Sequence, residues 1–134
     1  MKDMHSNIKV ITAITPAAIG TSGIAGGKLS AAIDRRGYES VEFVFNYSTA
    51  GASTDQVVPV VYEGDATDGA FTSVADADLL GTEAAHVISA AGAGKIGYTG
   101  GKRYLKLRLY GIGHATGTVG AVAILGNPHS GPVA

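Results

Sequence analysis

Asp34-Arg35-Arg36-Gly37-Tyr38-Glu39-Ser40 runs straight into Val41-Glu42-Phe43-Val44-Phe45-Asn46-Tyr47, and this stretch decides the fold class. Val41, Phe43, Phe45 and Tyr47 fall on one side of an extended chain, with Glu42 and Asn46 on the other. That is the period of two of a half-buried strand. The stretch also holds two of the three Phe residues, and aromatic rings carry the largest apolar area per side chain. Arg35-Arg36-Gly37 reads as a turn in which Gly37 is free to take a positive φ. A core must therefore assemble on the Phe43/Phe45 face.

Working outward, Arg103-Tyr104-Leu105-Lys106-Leu107-Arg108-Leu109-Tyr110 is the second clear strand, with the Leu residues inward and Tyr104, Lys106, Arg108 and Tyr110 outward. Residues 116–125 are apolar on both faces and read as a central strand. Residues 8–14 are β-branched and read as a strand closed by Thr15-Pro16; residues 17–27 read as an extended arm or loop. Residues 28–33 suggest a short strand, and 48–55 a loop. Residues 57–63 form a strand in which Pro59 cannot donate to a ladder, so an edge or a bulge is expected. The Gly64–Gly69 turn and residues 70–74 complete a hairpin, and residues 76–81 suggest one helical turn. Residues 84–91 fit a helical face after Thr82 as well as a strand over 86–90. The strand is preferred because Gly92-Ala93-Gly94 then serves as a hairpin loop before a strand at 95–98. Gly100-Gly101 is a turn. The expectation is an all-β, jelly-roll-like antiparallel β-sandwich, one domain over residues 1–134, with flexible extended arms at 1–7 and 126–134.

Composition narrows the function classes. Gly alone contributes 20 of 134 residues, so a hydrophobic fraction of 46% overstates the side-chain volume available to a core. The absence of Cys excludes disulfides and thiolate metal sites. No apolar run approaches the roughly 18 residues of a membrane span. Residues 1–7 lack the apolar core of a signal peptide, so the chain is expected to act without crossing a membrane. All eleven acids lie at or before Glu83, against five bases there, giving −6; from Ala84 onward five bases stand without an acid, giving +5. Such asymmetry suits nucleic-acid or membrane contact, but five bases are few for phosphate-driven binding, and a β fold that interleaves the halves pairs them instead. Neither a nucleic-acid nor a membrane partner is expected.

The motifs that carry chemistry fail on their surroundings. Gly92-Ala93-Gly94-Lys95-Ile96-Gly97 has dinucleotide-loop spacing, but Tyr98-Thr99-Gly100-Gly101 breaks the helix that must follow, and no acid stands beyond Glu83. Gly101-Lys102 and Gly27-Lys28 lack both the earlier Gly and the Ser or Thr of a phosphate loop. Asp76-Ala77-Asp78-Leu79-Leu80-Gly81 opens like a calcium loop, yet Leu80 replaces an oxygen ligand and Val87 stands where a bidentate acid should close the cage. His5, His86, His114 and His129 have no metal-ligand spacing. No catalytic residue, metal or cofactor is expected, and the chain reads as a non-enzyme.

Several blocks resemble a known family. Ile14-Thr15-Pro16-Ala17-Ala18, Ile33-Asp34-Arg35-Arg36-Gly37-Tyr38-Glu39-Ser40-Val41-Glu42-Phe43, Ala77-Asp78-Leu79-Leu80-Gly81-Thr82-Glu83, Ile96-Gly97-Tyr98-Thr99-Gly100-Gly101-Lys102-Arg103-Tyr104 and Ala121-Val122-Ala123-Ile124-Leu125-Gly126-Asn127-Pro128-His129 look like successive blocks of a tailed-bacteriophage virion structural protein family. The resemblance implies a small head decoration (cement) protein encoded near the major capsid protein. It would sit on the capsid surface of the virion, after assembly in the bacterial host cytoplasm. Its implied partners are the major capsid protein and neighbouring copies of itself, as a homo-oligomer or side by side. The tail here, Asn127-Pro128-His129-Ser130-Gly131, is less basic after the Pro than the family's ending. Lys102, Arg103, Lys106 and Arg108 are the residues expected to contact capsid or subunit. The alternative is a carbohydrate-binding or structural module of the phage tail, using Tyr38, Tyr62, Tyr98, Tyr104 and Tyr110 in a shallow groove.

Overall fold

The chain pairs with itself from the outside in. In the computed structural model, which describes residues 3–19, 27–48, 56–81, 92–112 and 117–130, β1 (Ile8–Ile19) pairs with β10 (Gly117–Pro128). Next inward, β2 (Lys28–Leu29) and β3 (Ile33–Asp34) pair in turn with β9 (Tyr104–Ile112). Then β4 (Tyr38–Tyr47) pairs with β8 (Gly92–Tyr98), and β5 (Gln56–Gly64) with β6 (Thr72–Ser73). This nested hairpin rolls up through two lateral pairings, β10 with β4 and β9 with β5. The short β7 (Leu79–Leu80) adds to the outer edge of β8. The result is two antiparallel sheets, in the orders β1-β10-β4-β8-β7 and β2-β9-β5-β6, with β3 also on β9. A nested hairpin rolled into two facing sheets is jelly-roll connectivity.

Alternation places the core between the sheets. Val41, Phe43, Phe45 and Tyr47 of β4 are buried, as are Leu105, Leu107 and Leu109 of β9. Val57 and Val61 of β5 and Val119, Ala123 and Leu125 of β10 close the same layer. Each large side chain so buried contributes roughly 1.5–3 kcal/mol of transfer free energy. Gly94 faces this layer because the Phe45 ring lies across it: a Cβ there would stand 2.8 Å from Phe45 Cε2.

Four sequence expectations are corrected. β1 does not close at Thr15-Pro16 but runs to Ile19, so residues 17–19 belong to a strand and not to an arm. Pro16 is tolerated because β1 is an edge strand and its register shifts between Ile14 and Ala17, where a missing N–H costs no ladder bond. Gly92-Ala93-Gly94 is not a hairpin loop; it is ladder, paired with Tyr47, Asn46 and Phe45. The arm expected at 126–134 is strand through Pro128. Gly126 pairs with Ser40 and Pro128 with Tyr38, and the His129 N–H donates to the Gly37 carbonyl at 2.8 Å. Asn127 adopts φ 49° there, and its side-chain amide donates to Ser40 Oγ at 2.8 Å. At the other end, residues 5–7 of the expected arm form a 3-10 turn, where the Asp3 carboxylate accepts the Ser6 N–H.

Other expectations hold. β5 meets β6 only at Tyr62 and Glu63, so Pro59 has no ladder partner on that side among the described residues. The strand expected over 28–33 is present but broken into β2 and β3. Buried Ser30 spans the break: its Oγ accepts the Leu107 N–H at 2.9 Å while donating to the Ala31 carbonyl. Of the helical turn expected over residues 76–81, only Asp76–Asp78 form one, a 3-10 turn, while Leu79–Leu80 are extended as β7. The strand weighed at 86–90 and most of the loop at 48–55 lie outside the described residues, as do 20–26 and 131–134.

Candidate functional site

The outward face of the β9 sheet gathers the aromatic and cationic side chains. Tyr104, Lys106, Arg108 and Tyr110 alternate with the buried Leu residues of β9 and are half-buried. The register sets Tyr62 beside Lys106, Val60 beside Arg108 and Val58 beside Tyr110. Leu29, exposed at 44%, stands on the other flank of Arg108. Each cation lies over a ring. Lys106 Nζ is 4.3 Å from the Phe71 centroid, Arg103 Cζ is 4.9 Å from Tyr104, and Arg108 Cζ is 6.0 Å from Tyr62. A cation over a ring keeps its charge while its stem and the ring cover apolar surface.

Of the four basic residues picked out in the sequence, Lys106 and Arg108 stand on this face. Lys102 and Arg103 sit at its end in ion pairs with acids from the first half of the chain. Lys102 Nζ is 3.0 Å from Asp65, and Arg103 holds Asp34 in a two-bond fork of 2.9 and 2.8 Å. That fork, opposed by partial burial and helped by the Arg36 N–H, lowers the Asp34 carboxyl to about 2. The acidic and basic halves therefore meet within one domain at these two points. Tyr62 and Phe71, the rings under Arg108 and Lys106, were not singled out as cation partners. Neither is marked in the sequence: residues 57–61 of β5 are a continuous apolar run without alternation, and Phe71 stands alone after the Gly64–Gly69 turn.

Beyond Arg103 the sandwich closes in a polar end. Tyr98 is 2% exposed, and its hydroxyl donates to Glu63 Oε2 at 2.6 Å while accepting the Lys102 N–H at 2.9 Å. Burial, and then the Glu63 carboxylate, push the Tyr98 phenol up to about 12. Arg35 lies 5.5 Å over the Tyr98 ring and donates to the carbonyls of Lys102 and Gly100. The Thr99 N–H donates to the Asp78 carbonyl at 2.8 Å. Parts of three of the sequence blocks thus meet here: the Asp34–Tyr38 turn, Asp78-Leu79 and the Tyr98–Arg103 connection.

Five tyrosines do not form one groove. Tyr98 belongs to the buried polar end and Tyr38 packs against the core, while Tyr62, Tyr104 and Tyr110 share the β9 face. The outer face of the other sheet differs in kind. It carries Val44, Val122 and Ile124 together with Thr12 and Asn46, with the exposed Val10 and Leu80 at its borders; Glu42 and Leu80 cover Gly97, and Pro16 and Asn46 cover Gly120. Among the described residues, no group of three or more His, Asp or Glu side chains is placed to hold a metal ion.

No protein-family model and no curated protein matches the chain. Among solved structures, a family two carbohydrate esterase from Cellvibrio japonicus is similar over 90% of this chain, at 9% identity and a TM-score of 0.36. The chain spans 34% of that structure's length.

Proposed function

We propose that this chain is a non-enzymatic head decoration protein of a tailed bacteriophage, binding the outer capsid shell through the outward face of the β9 sheet. One observation carries the docking part of this reading: the face combines Tyr62, Tyr104 and Tyr110 with Lys106 and Arg108, each cation laid over a ring. Tyr and Arg are residue types in which interface energy concentrates. Rings and stacked cations lose little rotamer freedom on docking, so more of the contact energy survives as affinity. The positive sign of the face suits an acidic partner surface. The phage setting comes from the sequence blocks, whose resemblance is to virion structural proteins. The sugar-binding alternative is weakened by the same geometry, because Tyr62 and Tyr104 each already have a cation over one ring face.

The test uses phage particles stripped of this protein and re-incubated with wild type or with the Lys106→Glu/Arg108→Glu double variant across a salt series. Wild type should bind in proportion to capsid subunits and weaken as salt rises, since exposed charges are screened beyond about 10 Å at 0.1 M. The double variant should leave particles largely bare at low salt. Equal occupancy by both proteins at every salt concentration removes this docking face. A copy number matching tail components and not capsid subunits removes the head assignment.

A further inference from the structure

At the start of β4 three arginines line one open depression of about 270 Å³. Arg35 and Arg36 line it from the turn, Arg103 from the connection before β9, and His129 from the end of β10. Two of the three are fixed in place. Arg35 donates to the Gly100 carbonyl at 3.0 Å and to the Lys102 carbonyl, and Arg103 is held by the Asp34 fork. A guanidinium has five N–H donors, so both keep donors beyond these bonds. Arg36 is exposed, and its side chain makes no hydrogen bond or ion pair among the described residues. The opposing carboxylates are already engaged: Asp34 by Arg103, and Glu39, which also lines the depression, by His129. Three permanent cations against two engaged carboxylates leave the site positive.

We propose that this depression is an oxyanion-binding site, in which Arg36 closes on a carboxylate or phosphate group against the fixed guanidinium groups of Arg35 and Arg103. Guanidinium forks match planar carboxylates and tetrahedral phosphates through paired N–H bonds. Fixing two of the three cations beforehand removes most of the ordering cost, which then falls on one exposed side chain. The site lies at the end of the sandwich, off the Lys106/Arg108 face. It does not depend on the decoration reading.

The full chain is titrated at low ionic strength with inorganic phosphate, with acetate and with a short Asp/Glu-rich peptide, followed by calorimetry and by amide chemical shifts. Saturable one-to-one binding is expected, with shifts at Gly37, Gly101 and His129. Arg36→Gln should weaken it by about tenfold or more, the scale of losing a charge-assisted pair. Lys9→Gln, a charge removed from an exposed position on β1, should leave it unchanged. Matching circular dichroism and melting curves for the three proteins separate lost binding from lost folding. A peptide that binds tighter than acetate points to an acidic segment of a partner as the source. Phosphate alone saturating points to a free ion, and either result supports the site. A non-saturating response to all three probes, or equal binding by Arg36→Gln, overturns the proposal.

Discussion

The apolar middle of the sandwich and its polar end are held by different forces. In the middle, Phe43, Leu105, Leu107 and Leu109 are fully buried, and contact is enforced by the exclusion of water. At the end, most of the charged side chains that fasten the chain remain partly exposed. Their contribution lies in direction: Arg35 reads two carbonyls, Tyr98 takes a donor and an acceptor, and Arg103 grips both oxygens of Asp34. The middle sets how stable the domain is. The end sets where the β3–β4 turn sits relative to the β8–β9 connection, and so the shape of the surface there.

The largest effects should come from the middle. Phe43→Ala is expected to cost about 3–5 kcal/mol and Leu107→Ala about 2–5 kcal/mol, because each leaves a cavity in a layer closed by both sheets. Phe71→Ala should cost less, since Phe71 is half-buried and packs under Lys106 and not in the core. Denaturant melts that rank Phe71→Ala with Phe43→Ala would erase the distinction between inner and outer layers.

One step down is Tyr98→Phe. It removes the acceptor of the Lys102 N–H and the donor to Glu63 while keeping the ring under Arg35. A loss of about 1–3 kcal/mol is expected, the net worth of one neutral and one charged hydrogen bond between part-buried groups. Tyr62→Phe, on the outer face, should stay within about 0.5 kcal/mol of wild type. The Tyr98 phenol is also raised in the folded state, to about 12 from 10.0. Its stabilising share is complete below pH 10 and lost as pH climbs through 12. Tyr98→Phe should therefore remove that part of the alkaline destabilisation. Indistinguishable melts for the two Phe variants would show that direction at the polar end is worth nothing measurable.

The same division explains what the sequence reveals. The middle is legible because alternation is local: β4 and β9 announce their buried faces within ten residues. Pro59 announces an edge for the same reason. The polar end is not legible, because its partners are far apart in sequence: Arg35 and Gly100 are separated by 65 residues and Asp34 and Arg103 by 69. The blocks that carry the family resemblance contain these residues without revealing that they touch. Pro16 and Gly126 mislead in the opposite direction, since both read as punctuation. In the fold a register shift on an edge strand accommodates Pro16, and Gly126 needs only a partner in β4. The outward cations of β9 are readable, but the rings beneath them depend on a β5–β9 register and a hairpin position that alternation does not encode.

The smallest effect belongs to the Asp34–Arg103 fork, and it tests whether the polar end contributes stability as well as direction. Asp34 is held at about 2, below its ordinary value of 3.8, chiefly by the Arg103 hydrogen bonds. A carboxyl lowered on folding stabilises the native state above its unfolded value, and this contribution drains away as pH falls through the folded value. The window is therefore about pH 4 to pH 2. Both partners are over two-fifths exposed, so water and salt screen the pair and its share is small. Asp34→Asn keeps the shape and one acceptor but cannot titrate. The difference between wild-type and Asp34→Asn stability should be flat above pH 4, shrink between pH 4 and pH 2, and diminish in 1 M salt, where the Debye length is about 3 Å. A difference that stays constant from pH 5 to pH 2 would mean that the fork positions the β3–β4 turn without stabilising it electrostatically.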